Sequence, residues 1–330
     1  EHKAGFYAAI LTPLARTAFS GPSPLFLFDA STPGAGKSLL ALVASIIATG
    51  RYPAIVQFPR EEDERKKAIT TYALEGDRIV TFDNVTGKLG GTSLCTALTL
   101  PTWTDRILGQ SRQWTGPMNI VFYATSNNAQ LGADMDRRAT HIRIDPGCED
   151  PEKRTGFRYP DLLATVRTRQ SVLTAAALTI LRGFIAAGRP KQSYEPWGSY
   201  ESWAELVIGA LRYAGFPDIG TARAGLADSD PETEHRLALV NGWADLCKDK
   251  PYGITAREGR SLIYPDKIWQ QPHPRLSEAL EALLYLPKHE VPSSARVSGL
   301  LRNMAGRMFN GRKIMVLGHD GHDSKLWGVR

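Results

Sequence analysis

The sequence predicts an α/β protein built on a parallel sheet with helices on both faces, followed by a helical segment and a smaller α+β part. Two observations point to the sheet. Short apolar runs without polar alternation recur through residues 25–144, the pattern of strands buried on both faces. Helix-length segments separate them, as crossover connections between parallel strands require. A third observation marks the change of class: after Asp145 long helical patterns take over, and near the end two strand-like runs flank a turn.

In chain order, residues 6–18 read as a helix leading into a strand at Leu25–Phe28. "STPGAGKS" (31–38) interrupts the apolar texture, and a helix pattern resumes at once. "YPAIVQF" reads as a second strand, "REEDERKKAITTYALEG" as a helix with a charged face, "RIVTFDNV" as a third strand and "SLCTALTL" as a helix. "NIVFYATSNN" and "THIRI" complete five strands. "DLLATVRTRQSVLTAAALTILRGFIAAG" is expected as one long helix and "SYESWAELVIGALRYAG" as another, with Ser199 and Ser202 as candidate caps. The Gly/Asp/Pro-rich "FPDIGTARAGLADSDPE" is the expected connector, and "KIMVL", "GHDGHD" and "KLWGV" a closing hairpin. The expected division is a core at 1–145, a helical lid and connector at 146–225, and a winged-helix-like part at 226–330.

The 330 residues are 42% hydrophobic and 22% charged, an ordinary globular composition. No apolar run approaches the roughly 20 residues of a membrane span, so no membrane partner is expected. Cys95, Cys148 and Cys247 are odd in number and widely spaced, which supports neither a disulfide framework nor a zinc site and suits a reducing compartment. Net charge +6 and a pI near 9.2 permit nucleic-acid contact. The first residue is Glu1 and no signal-peptide pattern precedes the first element, so a longer parent chain is expected.

Pro33, Gly34, Ala35 and Gly36 between a strand and a helix, with Lys37, Ser38 and Leu39 opening that helix, read as a phosphate cradle, the alternative being a Gly-rich strand-to-helix turn with a solvated Lys. Glycine lets successive N–H groups turn inward, and the helix adds its positive end. Lys37 is the residue for the outer phosphates and Ser38 the hydroxyl ligand for Mg²⁺. The pattern G-x-G-K-[ST] arises by chance in roughly one chain of this length per hundred. Ser31 stands where the full P-loop pattern has its first glycine.

"RIVTFDNV" delivers Asp83 beside the cradle as a second Mg²⁺ ligand, usually through water. Hydrolysis of ATP needs a group that orients or deprotonates water. Asn84 follows Asp83 and cannot take a proton, so either it positions water or a carboxylate arrives from elsewhere. Glu64, in the acidic helix start Glu61–Glu64, is the first candidate, although acids there also complement the helix dipole. Asn127 ends a strand as a candidate γ-phosphate sensor, with Asn128 the alternative. Arg137 and Arg138 precede the last strand of the core, where one, Arg138 slightly favoured, is a candidate arginine finger for a neighbouring subunit. A finger supplied in trans requires a head-to-tail interface.

The series "STPGAGKS", "VTFDNV", "LTLPTWTDRILGQS", "YATSNN" and "DMDRRATHIRI" resembles the AAA+ ATPase module of phage- and mobile-element-encoded replicative helicases, often joined to a primase. More distantly it is similar to superfamily III and minichromosome-maintenance-like helicases. The likeness extends through "GSYESWAELVIGALRYAG" to the C-terminal residues. It implies an AAA+ P-loop core, a homo-oligomer closed as a hexameric ring, ATP with Mg²⁺, movement on single-stranded or forked DNA, and a bacterial cytoplasm. It also implies a primase domain or partner ahead of Glu1. An AAA+ loader or protein remodeller without unwinding activity is the alternative, and a non-enzymatic DNA-binding module the third reading. Ser31 and Asn84 depart from the broad family pattern.

"DRILGQSRQWTGPM" (105–118) reads as a hairpin, at the place where the resembling helicases line their pore. Arg112 is a candidate phosphate contact, Gln113 a further candidate nucleic-acid residue, and Trp114 stacks on a base, braces the hairpin or tucks into the core of a plain surface hairpin. Arg169, with Arg167 beside it, falls where a lid arginine would touch phosphate. From Arg296 to Arg330 seven Lys/Arg face two Asp, and Arg302, Arg312 and Lys313 are the candidate DNA contacts of that part. A winged helix also serves as a protein docking module.

Overall fold

The computed structural model describes residues 1–109, 111–132, 134–148, 150–222, 231–265, 272–287 and 290–330, with only the backbone of 231–233. It falls into two compact units, Glu1–Ala227 and Asp228–Arg330. The connector expected over 216–232 lies in part outside the described residues.

The first unit is a mixed α/β structure on a central parallel sheet with flanking helices. Strands β1 (Leu25–Ala30), β2 (Ala54–Val56), β3 (Ile79–Val85), β7 (Val121–Asn127) and β9 (Ala139–Ile144) pair in the order β2-β3-β7-β1-β9, all parallel. Alternation within β1 explains why its run is apolar without a break. Phe26 and Phe28 enter the core on one face with α1 (His2–Ala15) and α2 (Lys37–Thr49). Leu25 and Leu27 enter the other core, near α3 (Glu62–Glu75) and α4 (Thr92–Ala97). Short strands β4 (Lys88–Leu89) and β8 (Gln130–Leu131) pair with each other, and β5 (Thr102–Arg106) with β6 (Gln113–Pro117) forms the expected hairpin.

Pro13 sits inside α1 and brings no N–H for the carbonyl of Ala9. The buried Tyr123 hydroxyl fills that vacancy, donating to Ala9 O at 2.7 Å, and so fastens helix to sheet. Nearby, Trp203 Nε1 donates to Thr12 Oγ1 at 2.9 Å.

The segment read as one helix over 161–188 is two, α5 (Leu162–Thr168) and α6 (Gln170–Ala186), pivoting at Arg169. Just after the pivot, Thr174 Oγ1 and Gln170 Nε2 of α6 both donate to Ile47 O, an orphan carbonyl at the C-terminal end of α2, at 2.5 and 3.5 Å. The next helix comprises α7 (Glu201–Trp203), a π-helical turn (Ala204–Ile208) and α8 (Gly209–Tyr213). Neither expected serine caps it: Tyr200 is the cap residue, Ser199 donates its N–H to Glu201, and Ser202 Oγ accepts from Ser20 N. These helices share the core of α1 and α2.

The second unit contains α9 (Pro231–Leu246), β10 (Ile254–Thr255), α10 (Ala256–Ile263), α11 (Pro274–Leu283), α12 (Ser294–Met304) and the hairpin β11 (Ile314–His319)–β12 (Lys325–Val329). Its sheet order is β10-β12-β11, antiparallel, over a core around Trp243 and Trp327. A capping box of Thr255 and Glu258 starts α10. Among the described residues no helix is long and apolar enough to cross a membrane.

Replacing Tyr123 by Phe leaves the Ala9 carbonyl buried without a donor. Urea denaturation of Tyr123→Phe is expected to show a loss of about 1–2 kcal/mol.

Candidate functional site

The buried β1 ends in a turn whose backbone leaves the ordinary regions. Gly34 has φ 74° and Gly36 φ 89°. At Gly34 a Cβ would also lie 3.2 Å from Glu152, so two constraints select glycine. Gly36 caps α2 without a side chain, which leaves the first N–H groups of that helix to a ligand. Lys37 is buried, and its Nζ donates to Asn127 Oδ1 at 2.6 Å and to Thr32 O at 3.3 Å. Burial lowers its pKa, while the charges of Asp29 and then Asp83 act in the opposite direction.

Ser38 Oγ donates to Asp83 Oδ1 at 2.6 Å, and Thr125 Oγ1 donates to the same oxygen at 2.8 Å. The Asn84 N–H in turn donates to Thr125 Oγ1 at 2.7 Å. The β3–β7 register shifts between Phe82 and Val85, and Asn84 adopts φ 51°. Asparagine tolerates this left-handed backbone better than glutamate does, a local reason for an amide at position 84. Lys37, Ser38, Asp83, Asn84 and Asn127 thus meet at the carboxyl ends of β1, β3 and β7. Thr125, absent from the sequence-based set, orients Asp83.

Beside the cradle lies a cavity of about 730 Å³ lined by Gly34, Ala35, Gly36, Leu39 and Leu40 and by Pro146, Pro151, Arg154 and residues 157–163. Phe157 and Tyr159 face it, 54% and 37% exposed, with Arg154 and Arg158 stacked on them at 5.4 and 5.3 Å. Sequence reading found Leu39 but not these aromatics, which sit in a segment without periodicity.

Other candidates lie elsewhere. Glu64 is exposed and paired with Lys67 of its own helix at 2.7 Å. The acid of that turn with a defined partner set is Glu62, which accepts Ser93 N at 2.5 Å and caps α4, with Arg65 at the same distance. Arg169 neighbours Gln170, which bonds Ile47 O at the far end of α2, about 15 Å along the helix from Lys37. A lid contact from Arg169 to the cradle of its own chain therefore does not follow from this fold.

Arg138 O accepts Leu25 N at 2.9 Å, at the amino end of β1. Arg137 and Arg138 therefore stand about 16 Å, the length of that strand, from their own cradle. Asp134 binds both: Arg137 through Nε and NH2, Arg138 through NH1. Arg138 also donates Nε to Thr99 Oγ1 at 3.0 Å and has an 11% exposed side chain, against 55% for Arg137. Arg137, rather than the favoured Arg138, is the more accessible of the two.

In the hairpin, Trp103 Nε1 donates to Thr70 Oγ1 at 2.9 Å, and Asp105 pairs with Lys66 at 2.9 Å, which anchors β5 to α3. Arg112 and Gln113 are exposed at the tip, whereas Trp114 is half-buried over Gly116, where a Cβ would strike its ring. In the second unit Arg302 and Arg312 are exposed and Lys313 half-buried; Arg312 NH1 donates to Asn241 Oδ1 at 3.1 Å.

No protein-family model matches the chain, and no curated protein matches it. Among solved structures it is similar to two of JCV helicase, at TM-score 0.32 in both and at 12% and 13% identity, over 70% of this chain. The matched parts span 66% and 65% of those chains, just under two thirds of their length.

The hydrogen bond from Arg137, with help from Arg138, holds the Asp134 carboxyl below the usual carboxylate range despite partial burial. A lowered folded pKa adds stability above the unfolded value of about 3.9, and this is lost as pH falls through the folded value. Thermal melts of Asp134→Asn are expected below wild type at pH 7, with the gap closing as pH drops under about 4.

Proposed function

We propose that the chain is an ATP-driven DNA motor of the AAA+ helicase type, working as a hexameric ring with ATP held between neighbouring copies. The observation that supports this best is the division of the site: Lys37, Ser38, Asp83 and Asn127 meet at one edge of the sheet, and Arg137 and Arg138 stand at the other. A chain arranged in this way completes its phosphate site only with a second copy placed head to tail.

In this reading the N–H groups of 34–38 cradle the phosphates, and Lys37 exchanges Asn127 Oδ1 for a γ-phosphate oxygen. The hard oxygens of Ser38 and Asp83, 2.6 Å apart, suit Mg²⁺ as a donor set. When bound, that ion neutralises charge on the β- and γ-phosphates. Asn127, released by Lys37, orients the attacking water, a task an amide performs in other nucleotide hydrolases. Asn84 flanks it, and Glu64, engaged by Lys67, is given no part in proton transfer. The base lies in the cavity against Phe157, Tyr159 and Leu39. Arg137 serves as the finger toward the neighbour's γ-phosphate, with Arg138 as its support.

The hairpin tip, through Arg112 and Gln113, takes single-stranded DNA, with Trp114 as a brace. The second unit, read as a winged helix, adds Arg302, Arg312 and Lys313 as phosphate contacts. A primase domain or partner belongs to the same proposal.

Lys37→Ala is expected to lower DNA-stimulated phosphate release about 100-fold or more, by loss of a transition-state contact. Displacement of a forked duplex by wild type separates a helicase from a loader, which hydrolyses ATP without unwinding. Mixing inactive Arg137→Ala with inactive Lys37→Ala subunits should restore part of the activity, because some interfaces regain both groups. Absence of recovery among exchanging subunits removes the trans role. Phe157→Ala should weaken ATP binding about tenfold while leaving tripolyphosphate binding unchanged, because only the base stacks there.

A further inference from the structure

We propose that Asp29 is a positioning residue that clamps the turn carrying Asn127 against the start of the P-loop, an inference that rests on reading this crevice as the ATPase site. Asp29 lies near the end of an otherwise apolar strand and is 2% exposed. A carboxylate there forfeits hydration that an apolar residue would never have needed. Its two oxygens are both engaged. Oδ1 accepts the Ala129 N–H at 3.1 Å; Oδ2 accepts Arg143 NH1 at 2.9 Å and lies 3.3 Å from His141 Nε2. This arrangement suits a clamp and leaves Asp29 ill placed as a proton acceptor.

The partners form a closed set around one turn. Arg143 extends NH2 to Asn128 Oδ1 at 3.2 Å. Asn128, at φ 49°, donates its N–H to Ala30 O at 3.0 Å and Nδ2 to Ser31 O at 3.4 Å. Residues 128–129 are thereby bonded to residues 29–31 directly and through Arg143. The residue before this turn is Asn127, whose amide meets Lys37 Nζ at 2.6 Å. Any slack in the turn therefore becomes slack between the amide and the γ-phosphate lysine. A displacement of this kind, about 1 Å, is enough to cost an enzyme two orders of magnitude in rate. The Asp29 charge also favours the Lys37 ammonium against the effect of burial.

The test uses the full chain and four variants: Asp29→Asn, Arg143→Gln, Asn127→Ala and the double variant Asp29→Asn with Asn127→Ala. Asp29→Asn keeps the shape and removes the charge that holds Arg143. It is expected to lower kcat for ATP about tenfold or more while moving KM less than about threefold, the split of a positioning defect. The double variant should be no slower than Asn127→Ala alone, because Asp29 acts through that residue. Amide hydrogen exchange in the 127–130 segment should rise about tenfold in Asp29→Asn, with the rest of the unit unchanged. Multiplicative rate losses in the double variant, or unchanged exchange at 127–130, overturn the proposal. Should Asp29→Asn fail to fold, Arg143→Gln, a half-exposed side chain, carries the same exchange prediction. If wild type hydrolyses no ATP, the motor reading fails, and the exchange experiment still decides the clamp.

Discussion

The site depends on the pairing of three parallel strands, β3, β7 and β1. Because they are adjacent and run the same way, their carboxyl ends open onto one crevice, as switch-point geometry in open α/β sheets dictates. That alone brings Asp83, Asn127 and the P-loop within hydrogen-bond reach, although more than forty residues separate each from the next. The strands stay in register because both faces are covered. Alternate side chains of β1 belong to different cores, so a slip of one residue would exchange the two sets. Tyr123 adds a directional constraint through the carbonyl that Pro13 leaves open.

The same parallelism gives the sheet two chemically distinct edges. At the carboxyl edge stand glycines with positive φ, a helix start without a side-chain cap and a buried lysine; in the proposed reading this is where the phosphates sit. At the amino edge, Asp134 gathers two arginines whose backbone stands about 16 Å, one strand length, from the 31–38 turn. Asp134 partly neutralises them, so a competing phosphate would have to displace a carboxylate that is already bidentate on Arg137.

How much of this was legible in the sequence follows from how local each signal is. All five strands of the central sheet and the strand-turn-helix around 31–38 could be read, because apolar runs and a Gly-Lys-Ser spacing are properties of neighbouring residues. Asp29 carries no such signal: the apolar pattern of β1 stops at Phe28, and the partners His141 and Arg143 are more than a hundred residues away. Thr125 carries no signal of its own in the sequence, and only the β3–β7 pairing places it on Asp83. The break at Arg169 was invisible for the same reason, since a carbonyl of α2 rewards it. Arg169 itself has the charge a lid contact needs, and its neighbour Gln170 bonds the far end of α2 from the cradle.

The most direct examination of the account is a structure of the chain with Mg²⁺ and a non-hydrolysable ATP analogue. Triphosphate is expected against the N–H groups of 34–38, with Lys37 Nζ moved from Asn127 to the γ-phosphate and Ser38 Oγ separated from Asp83. A nucleotide bound away from this turn, or a Lys37–Asn127 bond that persists with nucleotide in place, would contradict it.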